Sequence, residues 1–96
     1  MITIKTLKNK KNQIDKILVR YHAENIRVFG SVARGDSNVE SDVDFLVKFL
    51  PNASLLDQVG MIDELTVLLD CHVDVVSDRA LNQYLLPKIL NEAVPL

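Results

Sequence analysis

Two apolar, β-branched runs in this chain are interrupted by carboxylates. One is Asp42-Val43-Asp44-Phe45-Leu46-Val47, the other His72-Val73-Asp74-Val75-Val76. Aspartate is poorly suited to strand interiors. Residues two apart on a strand point to the same face, so Asp42 and Asp44 share one, with Leu46 and Lys48. Val43, Phe45, Val47 and Phe49 take the other face and should pack on helices. The fold must therefore bury one side of this strand and leave charge on the other. Asp74 adds a third carboxylate to the problem, because an unpaired charge in a buried run is costly.

The remaining pattern supplies the helices. Ile14, Ile17, Leu18 and Tyr21 fall at helical spacing, predicting an amphipathic helix over 11–23 that ends at Asn25. Residues 1–10 alternate weakly and read as a loose arm or short turn. Ile26–Phe29 is a short strand stopped by Gly30, and Val32–Gly35 begins a short helix. Asp42–Phe49 is a second strand, broken by Pro51-Asn52. Leu55–Leu69 fits a helix with Ser54 as N-cap and Leu55, Val59, Ile62, Leu65 and Leu69 along one side. His72–Val76 is a third strand. A last helix over about 79–92, capped by Ser77 or Asp78, carries Leu81, Leu85, Ile89 and Ala93, with Pro87 inside it as a kink or division. These elements predict an α/β (α+β) domain over 1–96, a short mixed sheet of about three to four strands flanked by helices.

At 96 residues and 48% apolar composition, the chain can bury a core but has little room for a separate substrate lobe. Whatever it acts on must be small or bring its own surface. No run approaches the roughly 18 apolar residues of a membrane span, so no membrane association is expected. The lysine-rich start lacks an apolar stretch behind it and does not read as a signal peptide. The single cysteine, Cys71, cannot form an internal disulfide, which fits a cytoplasmic location. A net charge of −2 argues against direct nucleic-acid binding by bulk electrostatics. Charge is nevertheless uneven. Residues 1–36 hold eight basic and three acidic side chains, and residues 37–96 hold three basic and ten acidic. Such a front suits a polyphosphate with its metal, an oppositely charged partner, or simply a solvated helix face.

Chemistry concentrates in one passage. Gly30-Ser31 precedes a short helix, a turn that lets an anion approach backbone N–H groups. Ser31 can donate its hydroxyl to a phosphate oxygen, and Arg34 can add a charge-assisted contact. Ten residues separate Ser31 from Asp42, and Asp44 follows two positions later. Clustered carboxylates repel one another unless solvated, protonated or bound to metal, and hard oxygen ligands suit Mg²⁺ or Mn²⁺. Asp74 would complete the metal set and help deprotonate an attacking hydroxyl. His22 reads as a surface residue, and His72 has no metal-ligand spacing around it. Cys71, Tyr21 and Tyr84 read as packing residues, and Gly60 as a close approach or a partner contact.

The string Gly30-Ser31-x-Ala33-Arg34-Gly35-x5-Ser41-Asp42-x-Asp44, with Asp74 on a later strand, resembles the nucleotidyltransferase superfamily of DNA polymerase β type. More narrowly, it is similar to the minimal nucleotidyltransferases, and the likeness covers essentially the whole chain. That resemblance implies a set of roles. Gly30 and Ser31 would hold the triphosphate, with Arg34 supporting it or the local turn. Asp42 and Asp44 would bind both metals. Asp74 would bind the catalytic metal and favour the ionised nucleophile. It also implies a partner, since such proteins are commonly paired with a HEPN-domain RNase toxin. Some members silence the toxin by moving AMP from ATP to its tyrosine. The expected function is thus a Mg²⁺-dependent protein adenylyltransferase acting as antitoxin, in a homo- or hetero-oligomer. The alternative is an antitoxin that neutralises by binding and occlusion alone. A small-molecule nucleotidyltransferase of the aminoglycoside-modifying kind would need an acceptor domain, for which these residues leave no room.

Overall fold

The computed structural model describes residues 1–96. Its order is α1 (Ile4–Asn9), α2 (Lys11–Arg20), β1 (Ala23–Phe29), α3 (Ser31–Arg34), β2 (Val43–Phe49), α4 (Leu55–Leu69), β3 (Val73–Ser77), a 3₁₀ turn (Asp78–Ala80), α5 (Leu85–Glu92) and β4 (Val94–Pro95). The four strands form one mixed sheet in the order β3-β2-β1-β4. β1 runs antiparallel to β2 and β4, while β2 and β3 are parallel, joined by the α4 crossover.

Strand register sorts the residues into two faces. Val28, Phe45 and Val75 lie side by side across three strands, and Val43 pairs with Val73. These side chains are buried beneath α2 and α4 with Ile14, Ile17, Leu18, Met61 and Leu65. On the opposite face Phe29, Asp44 and Asp74 form one row, and Arg27, Leu46 and Val76 the next. Leu46 is fully buried there, outside the main core cluster, because α5 and the 3₁₀ turn pack against this side of the sheet.

Several expectations need correction. The first ten residues are not an arm: α1 is a helix, started by a capping box in which Thr3 Oγ1 accepts from Thr6 N–H at 3.2 Å. α2 stops at Arg20, and Asn25 does not end it. Asn25 sits inside β1 in the left-handed region (φ 56°), at the irregularity between Glu24 and Arg27, so β1 begins at Ala23. α4 has the expected bounds, and Asp57 Oδ2 accepts from Ser54 N–H at 2.8 Å at its start. Its buried stripe is Met61, Leu65 and Leu69, however, while Leu55 and Val59 face outward. Gly60 is a close approach, since a Cβ there would run into the Tyr21 ring. The last helix divides. Ser77 caps the 3₁₀ turn, and α5 begins only at Leu85, with Pro87 in its first turn, where no intrahelical N–H bond is lost. β4 was not foreseen.

Candidate active site

The site lies at the end of β2 where three strands and α3 meet. Asp44 and Asp74 are direct register partners on the parallel strands, so both project from the same face. Asp42 precedes β2 by one residue and is exposed, as is Asp74, whereas Asp44 is half-buried between them. Gly30 closes the other side. It sits at φ 75° and ψ −152°, a conformation L side chains avoid, and a Cβ there would strike Asp44 Oδ2. Glycine is thus required twice over, for the turn and for the carboxylate's approach. Ser31 follows directly as the first, half-buried residue of α3.

Electrostatics separates Asp44 from its neighbours. Burial raises its pKa above the ordinary carboxylate value, and the charges of Asp74 and Asp42 raise it further. Arg34 opposes this and Glu92 adds to it. The group is a carboxylate held where negative charge is disfavoured, which a cation would relieve. As they stand, no three Asp, Glu, His or Cys side chains are close enough together to hold an ion. The donor chemistry nevertheless fits Mg²⁺ or Mn²⁺: oxygen ligands only, in excess of nearby positive charge. None of the surface cavities is lined by Asp42, Asp44 or Asp74. Asp42 and Asp74 are open to solvent beside the half-buried Asp44.

Arg34 reaches the site from the basic front but is already engaged. Its Nε lies 3.2 Å from Asp36 Oδ2 and its Nη1 3.0 Å from Glu92 Oε1, and both bonds hold its pKa above the ordinary value. Two residues here escape the sequence motif. Glu92, at the end of α5, also accepts from Gly30 N–H at 2.6 Å. His72 Nδ1 lies 3.5 Å from Asp42 Oδ1, placed there because His72 precedes the Val73–Val43 pair. His72 had a signal in the strand register; Glu92, 62 residues from Gly30, had none. Away from the site, His22 lies at the surface with its side chain partly exposed and Nδ1 3.4 Å from Asp57 Oδ2.

This geometry can be set against known proteins. Residues 10–96 match the family model of the nucleotidyltransferase domain. The chain belongs to that family. It is 39% identical over 84 residues to a protein of Methanocaldococcus jannaschii named as a candidate protein adenylyltransferase, covering 88% of this chain and 90% of the relative. It is 37% identical over 75 residues to the protein adenylyltransferase MntA of Thermococcus cleftensis, covering 78% and 76%. A solved structure of a candidate minimal nucleotidyltransferase superposes with a TM-score of 0.88 at 39% identity, covering 99% of this chain and 97% of that one. The fold alone is shared with a chain from a complex of a tri-AMPylated Shewanella oneidensis HEPN toxin and its MNT antitoxin. There the TM-score is 0.68 at 21% identity, covering 92% and 69%. No helix here is long and apolar enough to cross a membrane.

Proposed function

We propose that this nucleotidyltransferase moves AMP from ATP to a hydroxyl, a tyrosine's for preference, of a HEPN-domain RNase toxin in the cytoplasm and so acts as its antitoxin. The observation that carries the reading is the row Asp44–Asp74, with Asp42 at its end and Gly30 against Asp44. Relatives named protein adenylyltransferases, and an AMPylated toxin in complex with an antitoxin of this fold, support the acceptor class.

In this reading Gly30 N–H, the Ser31 hydroxyl and Arg34 face the phosphates of ATP. Asp42 and Asp44 would hold the Mg²⁺ or Mn²⁺ ions, with Asp74 contributing to the catalytic one. Bound metal supplies charge stabilisation for the attacking and leaving oxygens. Asp74 takes the proton of the acceptor hydroxyl as its oxygen forms a bond to the α-phosphorus. The bond from that phosphorus to the β-bridging oxygen breaks, and pyrophosphate leaves with the electron pair.

A second reading, occlusion without chemistry, is favoured by the exposed apolar surface of α4, where Leu55 is 74% and Leu56 80% exposed. Co-expression of the Asp42→Asn/Asp44→Asn double variant with the toxin separates the two. If the cell loses protection while the complex still forms, chemistry neutralises the toxin. Retained protection would assign neutralisation to binding.

A further inference from the structure

Glu92 holds two of the donors a phosphate would use, and it alone reaches Gly30 N–H, while Asp36 engages only Arg34 Nε. Glu92 Oε1 accepts from Gly30 N–H at 2.6 Å and from Arg34 Nη1 at 3.0 Å. A carboxylate oxygen and a phosphate oxygen require the same thing of such donors, an N–H directed at negative charge. One oxygen seated on the single Gly30 N–H leaves no place there for another, and it takes up the Arg34 Nη1 edge as well. Glu92 also adds negative charge beside Asp44, Asp42 and Asp74, where an incoming triphosphate is already repelled.

The backbone around Glu92 is fixed. Ala93 N–H bonds Ile89 O at 2.8 Å, and β4 pairs with β1 at Arg27 and Val28 immediately afterwards. The side chain itself is 31% exposed, so it can leave by rotating about its own bonds with α5 intact. Gly30 is hemmed in on its Cβ side, where any added carbon would strike the Asp44 carboxylate. The movable partner in this contact is the glutamate.

We propose that Glu92 sets nucleotide affinity: in the nucleotide-free chain it occupies the donors that the triphosphate needs, and it swings away as the triphosphate arrives. This rests on the reading of Gly30, Ser31 and Arg34 as the phosphate side of the site. The same oxygen cannot serve both states, so binding of the triphosphate is weaker than its donors alone would give.

Calorimetric titration of the full chain and of Glu92→Gln with Mg²⁺-ATP, and separately with Mg²⁺-tripolyphosphate, tests this. The amide keeps an acceptor for Gly30 but removes the charge, so both ligands should bind about 3- to 10-fold more tightly to the variant. Weaker binding overturns the proposal, because Glu92 would then be positioning Arg34 for the ligand rather than competing with it. Equal affinities overturn it while leaving the nucleotide site standing. If neither protein binds either ligand, the nucleotide reading of the site fails and takes this inference with it. Should the variant not fold, the unaltered chain still decides. On titration with Mg²⁺-tripolyphosphate, the Gly30 amide and the Glu92 carboxyl carbon should shift together in the NMR spectrum and saturate together. A Gly30 amide that shifts while the Glu92 carboxyl stays unmoved contradicts displacement.

Discussion

On the helix-covered face of β2, Val43, Phe45 and Val47 are fully buried and surrounded by matched apolar partners. On the opposite face, one residue over, Asp44 is packed against Asp74 and the Gly30 backbone with like charges for neighbours. Seven residues of one strand thus serve two incompatible demands. The first face gains free energy from every contact, and its replacement by anything smaller should destabilise the chain. The second carries charge repulsion at Asp44 that the first must offset, so replacement of that one residue should stabilise the fold and remove activity. Opposite signs for substitutions at adjacent positions are the signature of a strand that is both scaffold and site.

The largest effect should come from the packed face. Phe45→Ala removes the largest fully buried side chain, and urea unfolding should show a loss of about 3–5 kcal/mol. A loss below about 1 kcal/mol would mean that this face is not the core. Next comes chemistry on the other face. Asp44→Asn should lower AMP transfer by about 100-fold or more, read from label on the acceptor; near-normal transfer would remove Asp44 from the catalytic set. Gly30→Ala should hurt both properties, since a Cβ meets both a forbidden dihedral and the Asp44 carboxylate. About 1–3 kcal/mol of stability should disappear along with nucleotide binding. Unchanged stability would show that the turn relaxes freely.

The smallest effect is the most diagnostic of the contrast. Because the folded pKa of Asp44 is raised, the folded state binds its proton more readily than the unfolded chain does. Its stability contribution is therefore greatest below the unfolded value of about 3.9 and is lost as pH rises through the folded value. Metal-free Asp44→Asn should then be more stable than the parent at pH 7, by on the order of 1 kcal/mol, and the gain should vanish in acid below about pH 4. Thermal unfolding across that range checks it. A variant less stable at pH 7 would show that Asp44 makes net favourable contacts.

Much of this division was readable before any coordinates. α4 starts and stops where Ser54 and Leu69 indicate, and β2 and β3 fall within one residue of expectation, because interrupted apolar runs are a local signal. That Asp44 and Asp74 share a face follows from the strand period and the parallel register of β2 and β3. What was hidden depended on distant partners. β4 is two residues long and exists only because β1 offers it an edge. The facing of α4 is set by the sheet beneath, so Leu65 and Leu69 are buried as expected, Met61 joins them, and Leu55 and Val59 turn outward. α1 had a readable start in Thr3 and Thr6, but its lysines obscured the apolar spacing. Glu92 reaches the site through the docking of α5, which no local pattern encodes.

The most direct test of the central claim follows the two ends of ATP separately. The chain and the HEPN-domain protein proposed as its acceptor are incubated with Mg²⁺ and ATP labelled on either the α- or the γ-phosphate. The account predicts α-label fixed on the partner, γ-label released as pyrophosphate, and neither event with Asp44→Asn. Label from the γ-phosphate on the partner, or α-label transfer that Asp44→Asn leaves intact, would contradict it.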